Sequence, residues 1–170
     1  MATVRLMNQL GYSAALVGNH DFDYGEDNLR LLTSSSVFHW LGANVYVKAT
    51  GAAPSYLKPY RIIEIAGKKI AVIGIAGTHT ATSTMPALVK HLNFKSETAE
   101  AAYWTREVKR LYKPDAVVIL AHIGFGGDIG QGKVDISTRT FTPSDTGYGT
   151  LSIARAAKGA NIVIGGHNHV

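Results

Sequence analysis

Apolar positions in this chain fall into short runs of two kinds. Residues 14–17, 116–121 and 161–164 are brief, mostly aliphatic stretches without helical period, and they read as buried strands. Residues 60–65 and 69–75 are longer β-branched runs separated by Ala66-Gly67-Lys68, the composition of a hairpin loop, and should pair antiparallel. Helical spacing appears elsewhere. Val4 with Met7 and Leu6 with Leu10 share a face that Gly11 closes, and a second short helix is expected over residues 27–34, with residues 37–43 leading to a strand near 44–47. Ser96 can cap a helix with Glu97 and Glu100 in its first turn and Ala101, Trp104, Val108 and Leu111 as its apolar stripe, ended by Pro114. Residues 150–158 form a last helix, closed by Gly159. Between them, residues 124–149 hold five glycines at positions 124 to 132 and no helical period, and read as a long active-site loop with a peripheral strand or hairpin near 133–141. Strands alternating with helices give an α/β fold.

The polar residues that end the three short runs carry the chemistry. The first run stops at Gly18-Asn19-His20-Asp21-Phe22-Asp23-Tyr24-Gly25, the second at His122, and the third at Gly165-Gly166-His167-Asn168-His169. In α/β sheets ligands bind beyond the carboxyl ends of strands, so distant stretches converge on one crevice. A single histidine after an apolar run is more often structural, but three such endings argue for a site. His167 and His169 lie two apart and share a face on an extended backbone, with two glycines beneath them. His39, His79 and His91 lie outside these motifs and read as structural or exposed, with His79 the one best placed to line a pocket. There is no Gly-x-Ser-x-Gly elbow and no Walker loop, and Gly124-Phe125-Gly126-Gly127-Asp128-Ile129 has isoleucine where a dinucleotide fingerprint needs its third glycine.

Read together, residues 18–25, the Ala-His-Ile-Gly at 121–124 and the Gly-Gly-His-Asn-His at 165–169 resemble the calcineurin-like metallophosphoesterases, specifically the 5'-nucleotidase and UDP-sugar hydrolase family. The resemblance implies a four-layer αββα sandwich with a mixed sheet core. It implies a metal-dependent phosphoric-ester hydrolase acting on nucleotides or related esters by attack of a water that bridges two divalent ions of the Mn, Zn, Co or Mg type. By the same resemblance Asn19, His122 and His167 bind one metal, Asn19 through its side-chain oxygen, and His169 binds the other. His20 is then the catalytic histidine and Asp23 the carboxylate that orients it. Asp21 stands where the family usually has Glu. Asp23 favours the nucleotidase branch over related cyclic-nucleotide phosphodiesterases.

The chain departs from the family in one respect. Members open with a strand bearing Asp-x-His and a Gly-Asp turn whose aspartate bridges both metals; no Asp-x-His occurs here, and Gly127-Asp128 comes after His122. Residues 1–170 are therefore expected to be a catalytic domain without its first strands and without the C-terminal nucleotide-binding domain, holding one ion or none. That makes an inactive or weakly active pseudoenzyme, acting as a binding or assembly module, the alternative reading. Exposed sheet edges left by absent strands should favour self-association. A chain of 170 residues, 46% hydrophobic, suffices for one core. Zero cysteines exclude thiolate metal sites and disulfides. The net charge of +5 comes from 17 scattered basic residues, so no nucleic-acid partner is expected. No apolar run reaches the roughly 18–20 residues of a membrane span, so no membrane partner is expected either. No signal peptide is visible, although family resemblance suggests a periplasmic or extracellular protein.

Overall fold

The computed structural model describes residues 1–125, 133–135, 137, 140–142 and 149–168. In chain order the elements are α1 (Ala2–Gln9), β1 (Ala14–Leu16), a 3-10 turn (Asn19–Phe22), α2 (Gly25–Ser34), β2 (His39–Leu41), β3 (Val45–Val47), β4 (Tyr60–Ile65) and β5 (Lys68–Ala76). There follow the single turns α3 (Thr80–Ser83) and α4 (Pro86–Val89), then β6 (Leu92–Phe94), α5 (Glu97–Tyr112), β7 (Ala116–His122), β8 (Lys133–Asp135), β9 (Thr140–Thr142), α6 (Thr150–Ala156) and β10 (Ile162–Gly165).

The β-branched run of β5 becomes the spine of a four-stranded mixed sheet in the order β10-β7-β5-β4. β4 pairs with it antiparallel through the expected Gly67 turn, which takes φ +73°. β7 and β10 add in parallel, Ala76 lying beside His122 and Ala121 beside Gly165. The parallel trio therefore ends on one edge. β10 differs from the sequence expectation of a buried strand: Ile162 and Ile164 are 52% and 53% exposed, because among the described residues it borders the sheet on one side only.

α5 begins at Ser96, whose Oγ accepts from the Ala99 N–H, and Lys113 ends it in a left-handed conformation immediately before Pro114. It buries Ala101, Thr105 and Val108 against the sheet, joined by Ile153 and Ala157 at α6. Leu111, expected in that stripe, lies in the last turn of α5 and is 50% exposed.

The opposite face of β5 meets a second layer. β1 and β2 form a separate parallel pair that crosses β5 at Gly74, where an added Cβ would lie 2.3 Å from Leu41 Cβ and 3.1 Å from Leu16 Cδ1. Behind this pair a second core joins Val4 of α1 and Leu29 of α2 to Val17, Phe22, Trp40 and Phe94. Helix, sheet, strand pair, helix is the αββα layering. Asn44 ties the layers together: fully buried, its Nδ2 donates to the carbonyls of Ala76 and Lys95 and its Oδ1 accepts from the Ala76 N–H. Within 124–149, β8 and β9 pair antiparallel as a hairpin.

Candidate functional site

The layering decides where the singled-out side chains meet. At the end of β1 the chain tightens into the 3-10 turn Asn19–Phe22, held by the Gly18 N–H donating to Asp21 Oδ2 at 2.7 Å and by Phe22, fully buried edge-on to Phe94. With Phe22 fixed in the core, Asn19 is pinned inward and His20 is turned outward. Asn19 is 2% exposed, and its Nδ2 donates to the Ser83 carbonyl at 3.0 Å. That bond fixes the amide orientation, so Oδ1 faces His122 Nε2 at 3.0 Å across 103 positions of sequence. The amide oxygen only accepts, so His122 Nε2 is the donor in this contact, through a hydrogen that it would give up to act as a metal ligand.

His122 ends β7 and fits there because Gly18 has no side chain: a Cβ at Gly18 would lie 2.7 Å from Nε2 and Cε1 of the ring. His167 follows β10 on the same edge, its turn seated by the Gly166 N–H donating to the Ala121 carbonyl and by Asn168 packed on Gly124. His167 takes φ +81°, a region a side chain rarely occupies without a constraint from its surroundings. The His122 and His167 ring centroids are 5.2 Å apart at 65°. The chain thus brings together Asn19, His122 and His167, three of the four residues expected to hold metal; His169 and Asp128 lie outside the described residues.

His20 and Asp23 form the expected pair. His20 Nδ1–H donates to Asp23 Oδ2 at 2.7 Å, leaving Nε2 on a side chain that is 73% exposed. Asp23 Oδ1 accepts from Thr84 Oγ1 at 2.8 Å. The bonds from His20 and then Thr84 hold the Asp23 carboxyl below the usual carboxylate range. Asp21 behaves oppositely: burial pushes it up, against the Gly18 N–H and the neighbouring His20, which pull it down. These environments suit Asp23 to orient a histidine and Asp21 to close the turn.

Of the segment after β5, sequence reasoning singled out only His79, as the histidine best placed to line a pocket, and missed Ser83 and Thr84. The Ser83 carbonyl orients Asn19, Thr84 binds Asp23, and His79 adds a third imidazole, its centroid 4.0 Å from that of His167 and 6.4 Å from that of His122. The signal was present, since Gly77-Thr78-His79 ends an apolar strand as Gly18-Asn19-His20 does.

The donors fit a divalent ion in part. Two imidazoles sharing an ion at roughly 2.1 Å from each nitrogen have centroids about 5 Å apart, close to the 5.2 Å between His122 and His167. Asn19 supplies a hard oxygen beside them. Among the described residues no group of three or more His, Asp or Glu side chains is arranged to hold a metal ion, so Asn19 or ligands beyond those residues must complete the site.

No family model matches the chain. It is 30% identical over 166 residues to a protein named UshA from Yersinia enterocolitica, covering 96% of this chain and 28% of that protein. It is 36% identical over 118 residues to a 5'-nucleotidase of Vibrio cholerae, covering 69% of this chain and 21% of that enzyme. The chain therefore spans less than a third of the length of these relatives. Its fold matches the crystal structure of the calcineurin-like phosphoesterase YfkN from Bacillus subtilis with a TM-score of 0.75 over 98% of this chain and 48% of that one, at 24% identity. With the Asn19–His122 contact and the His20–Asp23 pair standing at the ends of strands in this fold, the chain belongs to the family of UshA and the 5'-nucleotidases.

Proposed function

We propose that this chain is the catalytic part of a metal-dependent phosphoric-ester hydrolase of the 5'-nucleotidase type, acting on nucleotides or related esters. One observation carries the reading: an amide oxygen and an imidazole nitrogen from positions 19 and 122 face each other at 3.0 Å, next in sequence to a histidine whose Nδ1 is bonded to a carboxylate. Asn19, His122 and His167, with His169, would hold divalent metal, which supplies Lewis acidity toward phosphoryl oxygens and lowers the pKa of water. The remaining work falls to the chain. Asp23 fixes the His20 ring through Nδ1 and leaves Nε2 exposed, from where it can stabilise the developing charge and donate a proton to the leaving ester oxygen. Thr84 holds Asp23 in place, and the Ser83 carbonyl keeps the Asn19 oxygen turned inward.

The domain reading belongs to this proposal. A second ion needs ligands that the described residues do not supply, which makes the isolated chain a weak hydrolase whose rate rises when upstream Asp-x-His and Gly-Asp strands are added. By resemblance its setting is periplasmic or extracellular; among the described residues no helix is long and apolar enough to cross a membrane. The half-exposed Ile162 and Ile164 on bordering β10 support self-association, which light scattering tests: a monomer at high concentration removes it.

The functional test compares hydrolysis of AMP and of an aryl phosphate, with and without Mn²⁺, in a form carrying the upstream strands. His20→Ala should lower turnover roughly 10²-fold or more with metal content unchanged, whereas His122→Ala should lose metal. The opposite assignment by elemental analysis would refute the roles. No Mn²⁺-dependent hydrolysis in the extended form would favour the binding-module alternative.

A further inference from the structure

The His79–His167 pair has no place in the motifs that identified the site, and its geometry is specific. The centroids are 4.0 Å apart with the ring planes 34° from parallel, so one face of each imidazole covers the other. Both residues follow parallel strands that end on the same sheet edge, His79 after β5 and His167 after β10, with β7 between them. His79 reaches across that intervening strand because Gly77 leaves its path open: a Cβ there would lie 2.0 Å from His79 Cε1 and 2.2 Å from Nδ1. The His79 backbone is fixed as well, its carbonyl accepting from the Thr82 and Ser83 N–H groups in the turn that also holds Asn19 and Asp23.

His167 needs such a support. It follows two consecutive glycines and sits at φ +81°, so local backbone preference does not choose its side-chain direction. The three imidazoles do not share an ion by themselves, since no group of three His, Asp or Glu among the described residues is so arranged. The contact between His79 and His167 is ring to ring.

We propose that His79 is a positioning residue: its imidazole face holds the His167 ring at the angle from which His167 and His122 converge. This rests on the reading of His167 as a metal ligand only for its consequence; the ring contact is independent of it. Groups that orient a metal ligand typically change affinity by about 10–100-fold when removed. Aromatic area at position 79 is what the role requires.

The experiment uses the 170-residue chain with His79→Ala and His79→Phe, reading the ring carbon-proton NMR signals of His167, assigned by loss in His167→Gln, and the affinity for Zn²⁺. His79→Ala should move the His167 signals more than those of His20 or His91 and weaken Zn²⁺ binding about tenfold or more. His79→Phe should restore affinity. Unmoved His167 signals in His79→Ala overturn the proposal. Loss of affinity in both variants overturns it too, because His79 would then act through a nitrogen. If His167 signals respond while the unsubstituted chain binds no Zn²⁺, the ring support stands and the metal assignment of His167 falls.

Discussion

Gly18→Ala isolates the contact on which the site depends. Gly18 has φ −109° and ψ −179°, extended backbone that alanine adopts without strain. The obstacle is the His122 ring, whose Cε1 and Nε2 lie 2.7 Å from the added Cβ against the 3.4 Å at which ordinary contact begins, so the ring must retreat by 3.4 − 2.7 = 0.7 Å. The 3.0 Å bond from its Nε2 to Asn19 Oδ1 does not survive a retreat of that size away from the amide. Overpacking of this kind costs about 1–3 kcal/mol, which at this chain length lowers Tm by about 2–4 °C for each kcal/mol. Metal affinity should suffer as well, by about 10–100-fold, as when the support that orients a ligand is lost. Calorimetry gives the first number and titration with Zn²⁺ the second. Gly11→Ala is the control: Gly11 has φ +72° with nothing within 4 Å, so alanine there strains only the backbone and should lower Tm while leaving affinity alone. A Gly18→Ala chain that melts and binds Zn²⁺ as the parent does would show that the His122 ring does not lie against Gly18.

Asn44→Ala leaves the Ala76 N–H and the carbonyls of Ala76 and Lys95 without their side-chain partner in a fully buried position, and should cost about 3 kcal/mol in urea unfolding; a loss below about 1 kcal/mol would mean water replaces the amide. Asp21→Asn tests a pH dependence. The Asp21 carboxyl is raised by burial, so its contribution to stability is full below the unfolded value of about 3.9 and is lost as pH rises through the folded value. Asparagine retains an oxygen for the Gly18 N–H and removes the buried charge, so the variant should be at least as stable as the parent at pH 7 and less so, relative to it, near pH 3; a parallel offset at both pH values would count against that assignment.

What could be read in the sequence was whatever a local pattern encodes. The β4–β5 hairpin follows from two β-branched runs and one glycine, and α5 from a cap, an acidic first turn and Ala101 and Val108 one face apart. β2 escaped notice because three residues, His39, Trp40 and Leu41, are too few to show a period. β10 has the composition of a buried strand, but burial depends on which strand borders the sheet, a tertiary fact. In the site, Asn19, His20, Asp23, His122 and His167 announce themselves by following strands in recognisable clusters. His79 follows one too, without a second polar residue of known type beside it. Thr84 and the Ser83 carbonyl carry no signal at all, since a hydroxyl or a backbone oxygen becomes part of a site only through the turn that aims it.

The crossing at Gly74 separates two kinds of stability. Asn19 belongs to the core built on α1, α2, β1 and β2, while His122 and His167 belong to the sheet covered by α5 and α6. The two cores meet where Leu41 packs directly on Gly74 of β5, beside the Ala43 N–H that donates to the Gly74 carbonyl at 2.7 Å, so the angle between them is set at that crossing. The 3.0 Å contact between Asn19 Oδ1 and His122 Nε2 stands at the far end of the strands, where a change of that angle would be felt most. Alignment of Asn19 with His122 is thus a property of the joint rather than of either core. A divalent ion gripping both sides would work as a latch on that joint, tightening relative alignment far more than it raises the stability of either half.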